Sequence, residues 1–137
     1  VAPQALIAAL GAAPRETLKA RDFVLVYERA DDVRGLAPDM AALAKIDCFA
    51  VCVTSPGDRG HDFISRFFAP RQGIPEDPVT GSAHCSLVPY WSARLGKKRL
   101  KAFQASARGG ELVCVAAGEH IRLIGQCALY LEGTMHL

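Results

Sequence analysis

The sequence predicts an α+β domain in which short strands surround one apolar helix. Residues 82–95 form a mostly apolar run that contains Trp91 and ends at Gly96, which is typical of a buried helix. The last third of the chain carries short strand-like segments separated by glycine-containing turns. Over 137 residues, 50% are apolar and 22% are charged, which fits one globular domain. Strands at this spacing around a buried helix indicate the α+β class.

The first half of the chain predicts short helices alternating with buried strands. Apolar spacing and start signals predict helices over residues 4–10, 30–36 and 39–45. Asp31 or Asp32 is suited to cap the second helix, and Pro38 is suited to the start of the third. Runs rich in branched and aromatic residues predict strands over residues 23–27, 48–54 and 62–69. Residues 14–19 and 55–60 are expected to be loops or turns.

The second half begins with an irregular segment and ends in strands. Residues 70–81 hold three prolines and two glycines, so no regular element is expected there. The helix over residues 82–95 follows, and its internal Pro89 predicts a kink. The last strands are predicted over residues 100–107, 111–116, 120–124 and 127–132.

Composition and charge argue against several classes of function. Lysine and arginine total 16 against 14 acidic residues, and the basic residues are scattered apart from a short cluster at residues 97–101, so no nucleic-acid partner is expected. No apolar run reaches the roughly 18 residues of a membrane span. Five cysteines without a Cys-x-x-Cys pair indicate a reducing compartment, free thiols and no zinc site. Residues 1–10 lack a signal-peptide pattern, so a cytoplasmic location is expected. Because the first residue is Val1, we expect a processed chain or part of a longer one.

The irregular segment runs directly into a helix start, where chemistry is expected. Helix N-termini leave amide donors unpaired and carry partial positive charge. Small residues at such a point let an anion approach the backbone. The candidate substrate-binding residues are therefore Thr80, Gly81, Ser82 and Ala83.

Asp77 is the candidate catalytic residue. Because it precedes Pro78, its backbone is restricted to extended conformations, which holds the carboxylate in a defined place. An anion cradle beside a positioned carboxylate suits a small substrate that carries a carboxylate and a transferable proton. A purely structural interpretation stays open, in which Thr80 or Ser82 only caps the helix and Asp77 only complements its dipole.

His84 is a further candidate substrate contact, one turn into the helix, where it faces either the loop or the core. No second histidine stands at metal-ligand spacing, so no metal is expected. The isolated histidines at positions 61, 120 and 136 are expected to be structural. Cys85 lies near the helix start, which can lower the pKa of a thiol, so a reactive thiol is a weaker alternative.

Two segments resemble the PhzF-like family of phenazine-biosynthesis proteins. They are residues 62–70 and residues 73–85, and the run Glu-Asp-Pro-Val-Thr-Gly-Ser-Ala-His at 76–84 is a specific signature. The resemblance extends over residues 109–112, 121–126 and 131–134. It covers most of the chain and corresponds to the C-terminal half of the family pattern.

The resemblance implies a fold and a half-site. Family members have two similar domains of the diaminopimelate-epimerase-like fold, each a curved, barrel-like mixed sheet around a central helix, with the active site in the cleft between them. Residues 1–137 then form one such domain, with the helix over residues 82–95 at its centre. Asp77 matches the aspartate that lines the cleft, and Gly81 and Ser82 match positions that hold the substrate.

The resemblance also implies an activity. The family's best-understood branch isomerises a dihydro-hydroxyanthranilate by moving a proton, without a cofactor. The acid/base glutamate of the family lies in the other half, and Glu76 is not its counterpart. We therefore expect the chain to need a missing N-terminal domain or self-association, and to be inactive alone. The alternatives are a non-catalytic domain that binds a small carboxylate or a partner, and a thiol-dependent racemase using Cys85, whose position inside the helix argues against it.

Overall fold

The computed structural model describes residues 2–135, so His136 lies outside the described residues. The chain forms a seven-stranded sheet whose strands follow one another in chain order. The strands are β1 (Glu16–Lys19), β2 (Phe23–Val26), β3 (Val51–Pro56), β4 (Phe63–Phe68), β5 (Arg99–Gln104), β6 (Gly110–Ala117) and β7 (His120–Ile124). The helices are α1 (Gln4–Leu10), α2 (Ala30–Arg34), α3 (Met40–Leu43) and α4 (Gly81–Leu95), with a short 3-10 turn at Pro70–Gln72.

The sheet is mixed and open. β2 pairs parallel with β3 and β4 with β5, and the other neighbours are antiparallel. Over residues 2–135, β1 and β7 each have a single neighbour, so the expected barrel-like closure is not present. Both outer strands nevertheless approach α4. Tyr90 of α4 donates a hydrogen bond to Glu16 Oε2 of β1 at 2.8 Å, and Leu123 of β7 lies beside Gly81 at the start of α4.

The two faces of the sheet bury separate cores. Because alternate strand residues point to opposite faces, Phe23 and Leu25 pack with α1, α2 and α3, whereas Val24 and Val26 belong to the core beneath α4. All four residues of β2 are buried, as expected for a strand that is covered on both faces. The predicted α+β class is confirmed.

Helix α4 is buried on one side only, whereas its apolar sequence predicted a buried helix. Its inner face is formed by Ala83, His84, Leu87, Val88 and Trp91. The outer face, which includes Cys85, Ser86 and Pro89, is exposed because the sheet does not close over it. The helix runs through Pro89 as one element. The amide that Pro89 lacks would have bonded the Cys85 carbonyl, which lies on the exposed side where water reaches it.

Several predicted boundaries were wrong. Residues 16–19 form β1 rather than a loop, because they find a pairing edge on β2. Residues 127–132 do not form a strand, and Leu129, Tyr130 and Leu131 are 79–99% exposed. Strand-forming residues without an edge to pair with do not make a strand.

The caps also differ in detail. Arg29 occupies the N-cap position of α2 without a side-chain capping bond, and the Asp32 carboxylate in the first turn accepts from the Arg29 N–H at 3.1 Å. Asp39 caps α3 by accepting from the Ala42 N–H at 3.0 Å. The five cysteines are free thiols, of which Cys52 and Cys114 are buried, while those at positions 85 and 127 lie at the surface. Among the described helices, none has the length and apolar character to cross a membrane.

Candidate functional site

The start of α4 leaves amide donors unpaired. Thr80 occupies the N-cap position, but its hydroxyl donates to Asp77 Oδ2 instead of accepting from the first turn. Over residues 2–135, no protein acceptor pairs with the backbone N–H groups of Gly81 or Ser82. Both residues are exposed, so these donors face open space at the positive end of the helix.

Asp77 lies beside these donors, and its backbone is anchored at both ends. The Asp77 N–H donates to the Phe67 carbonyl at 2.9 Å, and the Asp77 carbonyl accepts from Gln104 Nε2 at 2.7 Å. Among the described residues, no cation pairs with the Asp77 carboxylate. A half-buried carboxylate without a partner cation is available to a ligand.

The neighbouring acid, Glu76, is engaged elsewhere. Its carboxylate accepts two hydrogen bonds from Arg66, at 2.8 and 3.0 Å. The same guanidinium donates to the Leu36 and Val33 carbonyls at the end of α2, at 2.7 and 3.2 Å. Glu76 therefore ties the loop to β4 and α2, and within residues 2–135 its carboxylate makes no hydrogen bond to the start of α4.

The loop is backed by the turn between β5 and β6. Ser106 Oγ donates to the Pro78 carbonyl at 2.8 Å and accepts from the Gly109 N–H at 3.1 Å. A Cβ atom at Gly110 would collide with a methyl group of Val79. Because Gly110 has no side chain, the loop packs directly against β6 at Val79, two residues after Asp77.

His84 is fully buried, although the sequence made it a candidate substrate contact. Its Nδ1 lies 2.7 Å from the Thr80 carbonyl, an obligate acceptor, so Nδ1 carries the proton and Nε2 does not. Burial lowers the pKa of His84, which keeps the ring neutral at pH 7. The ring packs 5.9 Å from that of Phe63 between centroids. His84 therefore packs on the core side of the helix start, where it bonds the Thr80 carbonyl and does not face solvent.

Two further side chains lie near the helix start. Arg21 Nη2 lies 3.5 Å from Ser82 Oγ, and the Arg21 guanidinium forms an ion pair with the Asp22 carboxylate through two hydrogen bonds, at 3.0 and 2.8 Å. Cys85 is exposed, and its thiol lies 3.8 Å from the Gly81 carbonyl. Among the described residues, no group of three or more His, Cys, Asp and Glu side chains has an arrangement suited to a metal ion.

Sequence reasoning missed Gln104, Arg66 and Arg21. Gln104 is fully buried, and its amide contacts both Asp77 and Thr80. A signal for it existed in the sequence, because alternation in β5 turns Leu100, Ala102 and position 104 to the same buried face. An amide at an inward position needs polar partners. The sequence did not reveal that those partners come from residues 77–80.

Comparison with known proteins identifies the family. Residues 7–133 match the family model described as phenazine biosynthesis-like protein, PhzC-PhzF. Two relatives from Pseudomonas aeruginosa, both called uncharacterized isomerases, are 49% and 50% identical over 98% and 94% of this chain. A crystal structure of a PhzC/PhzF protein from Clostridium difficile is 34% identical, covers 100% of this chain and superposes with a TM-score of 0.88.

The chain spans about half the length of these proteins. It covers 52% and 49% of the two Pseudomonas isomerases and 53% of the Clostridium structure. A PhzF-family structure from Enterococcus faecalis gives the same picture, with 38% identity, 94% coverage of this chain, 53% coverage of the other and a TM-score of 0.83. Sequence and structure agree along nearly the whole chain, and the chain therefore belongs to the PhzC-PhzF family of phenazine biosynthesis-like proteins.

Proposed function

We propose that this chain is the Asp77-bearing, C-terminal half of a cofactor-independent PhzF-like isomerase with a diaminopimelate-epimerase-like fold. The reaction is a proton transfer on a small substrate that carries a carboxylate. Isomerase-named relatives of about twice the length support the reaction class. The observation that carries the proposal is the pairing of a carboxylate without a partner cation, on Asp77, with unpaired amides at Gly81 and Ser82.

The two features have complementary roles. The amides of Gly81 and Ser82 donate to the substrate carboxylate. Thr80 and Ala83 are buried, so their side chains shape the helix start from the core side rather than face the substrate. Asp77 accepts or returns the proton at the reacting atom, since general acid/base catalysis requires such a group within hydrogen-bond reach.

The proposed site is incomplete in this chain. A proton that moves between two atoms of a substrate needs an acid/base group within hydrogen-bond reach of each atom, and a second group is required where Asp77 does not reach both. In our proposal that group comes from the other half of the full-length protein. His84 supports the helix start and Glu76 anchors the loop, so neither supplies the second group.

Hydrogen exchange with solvent tests the proposal without knowledge of the product. The full-length protein is incubated in D2O with a panel of small unsaturated and amino-substituted carboxylates, and loss of a C–H signal is followed by 1H NMR. We expect exchange with at least one compound, its abolition by Asp77→Asn, and its retention in Asp47→Asn, an exposed acid paired with Arg71. The 137-residue chain alone is expected to show none.

A second candidate function is binding without catalysis. The unpaired amides at the start of α4 favour it, because they suit a carboxylate whether or not a proton moves. In that case a carboxylate from the panel binds the full-length protein, detected by amide shifts of Gly81 and Ser82, but its C–H signal persists. Asp77→Asn then leaves binding intact or strengthens it, because a negative charge beside the anion is removed.

A further inference from the structure

We propose that Gln104 is a positioning residue for Asp77, and that it acts through the hydroxyl of Thr80. The three side chains form a chain of donors and acceptors that runs from the buried strand β5 to the carboxylate. This inference rests on the proposed function of Asp77 and assigns a role to two residues that touch no reacting atom.

The orientation of the Gln104 amide follows from its partners. The Thr80 backbone N–H can only donate, so the atom 2.7 Å away must be the carbonyl oxygen Oε1. The Asp77 carbonyl can only accept, so the atom 2.7 Å away from it must be Nε2. The second Nε2 hydrogen points to Thr80 Oγ1 at 3.0 Å. The amide therefore has one possible orientation.

This orientation determines where the Thr80 hydroxyl proton goes. Because Thr80 Oγ1 accepts from Gln104, its own hydrogen is free to donate, and Asp77 Oδ2 receives it. One carboxylate oxygen of Asp77 is thereby occupied by Thr80. The other oxygen, Oδ1, is left for the substrate. The carboxylate is held in one rotational position, which favours reaction because displacing a catalytic group by about 1 Å can cost on the order of 100-fold in rate.

The inward row of β5 explains why an amide is needed at this point. Leu100 and Ala102 occupy the preceding inward positions, and both are fully buried like Gln104. An apolar residue at position 104 would leave the Thr80 N–H and the Asp77 carbonyl without partners inside the protein. A purely structural role for Gln104 would stop there, at holding the loop backbone. In the proposed role, Gln104 also orients the Thr80 hydroxyl toward the Asp77 carboxylate, and the experiment tests this orientation.

Thr80→Val separates the two roles. Valine keeps the shape of the side chain and the backbone N–H that bonds Gln104, but it removes the hydroxyl. Thr80→Ser keeps the hydroxyl and serves as the conservative rescue. Gln104→Glu keeps an acceptor for the Thr80 N–H but offers the Thr80 hydroxyl a competing carboxylate. Gln72→Glu, at an exposed position outside the site, is the control.

Two measurements are made on these variants. In the 137-residue chain, the 13C signal of the Asp77 carboxyl group is expected to shift in Thr80→Val and Gln104→Glu, and to stay near its wild-type position in Thr80→Ser and Gln72→Glu. In the full-length protein, Thr80→Val is expected to lower kcat for hydrogen exchange by on the order of 100-fold with KM nearly unchanged. Thr80→Ser is expected to restore most of that rate.

An unchanged Asp77 carboxyl signal in Thr80→Val, with the backbone amide spectrum of α4 intact, would overturn the inference. Equal impairment in Thr80→Ser and Thr80→Val would also overturn it, since packing rather than the hydroxyl would then matter. Failure of the proposed function is a separate result. If the wild-type full-length protein exchanges no substrate hydrogen, the carboxyl signal of the isolated chain still decides whether Gln104 and Thr80 set the orientation of Asp77.

Discussion

Two consecutive acids in this protein have opposite environments, and the backbone explains the difference. Asp77 precedes Pro78, so its backbone is extended, and adjacent side chains along an extended chain point in opposite directions. Glu76 points to Arg66 and the end of α2, whereas Asp77 points to Thr80 and the start of α4. The sequence therefore predicted that Asp77 is held in a defined place, but it contained no sign that Glu76 has its own cation.

Glu76→Gln is expected to destabilise the protein by about 1.5–3 kcal/mol, the usual contribution of a hydrogen bond to a charged group. The Arg66 and Glu76 side chains are only 12% and 20% exposed, so water replaces the lost carboxylate poorly. Asp47→Asn breaks an ion pair with Arg71 whose acid is 99% exposed, and it should cost less than about 1 kcal/mol. Urea unfolding of both variants checks this, and equal losses would contradict it.

His84 makes stability fall as the solution becomes acidic. Burial lowers the pKa of His84 in the folded chain, so the unfolded chain, with a histidine pKa near 6.5, binds the proton more readily. The stability due to the neutral ring is therefore fully present above about pH 6.5 and is lost as pH falls below it, by at most about 1.4 kcal/mol per pH unit.

Urea unfolding at pH 7.5 and pH 5.5 measures this effect, in a range above the titration of most carboxylates. We expect His84→Gln, which does not titrate, to be less stable than the wild type at pH 7.5 but to lose less on acidification. His120→Gln, at an exposed position, is the control and should keep the wild-type pH dependence. An unchanged pH dependence in His84→Gln would show that other groups are responsible.

The elements that the sequence predicted well are those whose burial is visible in a single segment. Strand β2 is a continuous apolar run, β3 begins as one, β4 is rich in phenylalanine, and α4 is a mostly apolar stretch between a proline-rich loop and a glycine. β1 has four residues and no fully buried side chain, so only its pairing with β2 defines it. The prediction of a strand over residues 127–132 was wrong for the opposite reason. The composition of this segment favours a strand, but the described residues offer it no pairing partner.

The candidate site was predicted where it depends on local chemistry and missed where it depends on distant residues. The proline before the signature threonine and the small residues after it located the loop and the helix start. Gln104 reaches the loop from a strand that follows α4, and Arg66 reaches it from β4. Neither connection is visible until strand register is known.

The contact between the loop and β6 predicts a strong effect at one glycine. Gly110→Ala places a Cβ atom against Val79, so the loop must move away from the sheet. We expect a loss of about 1–3 kcal/mol, as for an overpacked core, together with amide shifts at Asp77 and Thr80. Gly125→Ala adds a methyl group where no atom lies within 4 Å and should change neither quantity. Thermal unfolding and two-dimensional NMR compare the two variants.

The whole molecule exposes surfaces that favour association. β1 and β7 are unpaired edges over the described part of the chain, the outer face of α4 is exposed, and the tail carries Leu129, Tyr130 and Leu131 in solvent. We expect the 137-residue chain to self-associate in gel filtration and light scattering, in proportion to concentration. Replacing the three tail residues with serine should reduce the association. A monomer at every concentration tested would contradict the expectation.

The order of the strands determines when the candidate site is completed during synthesis. Each strand pairs with its neighbours in the chain, so it can add to a sheet that already exists as the polypeptide emerges. The two parallel junctions, β2 with β3 and β4 with β5, each wait for the segment between their strands, and Phe63 of β4 pairs with Ala102 only after the loop and α4 have been made. Gln104 arrives two residues later. A nascent chain that ends before β5 therefore contains the whole signature sequence of the loop but lacks the buried amide that holds it in place.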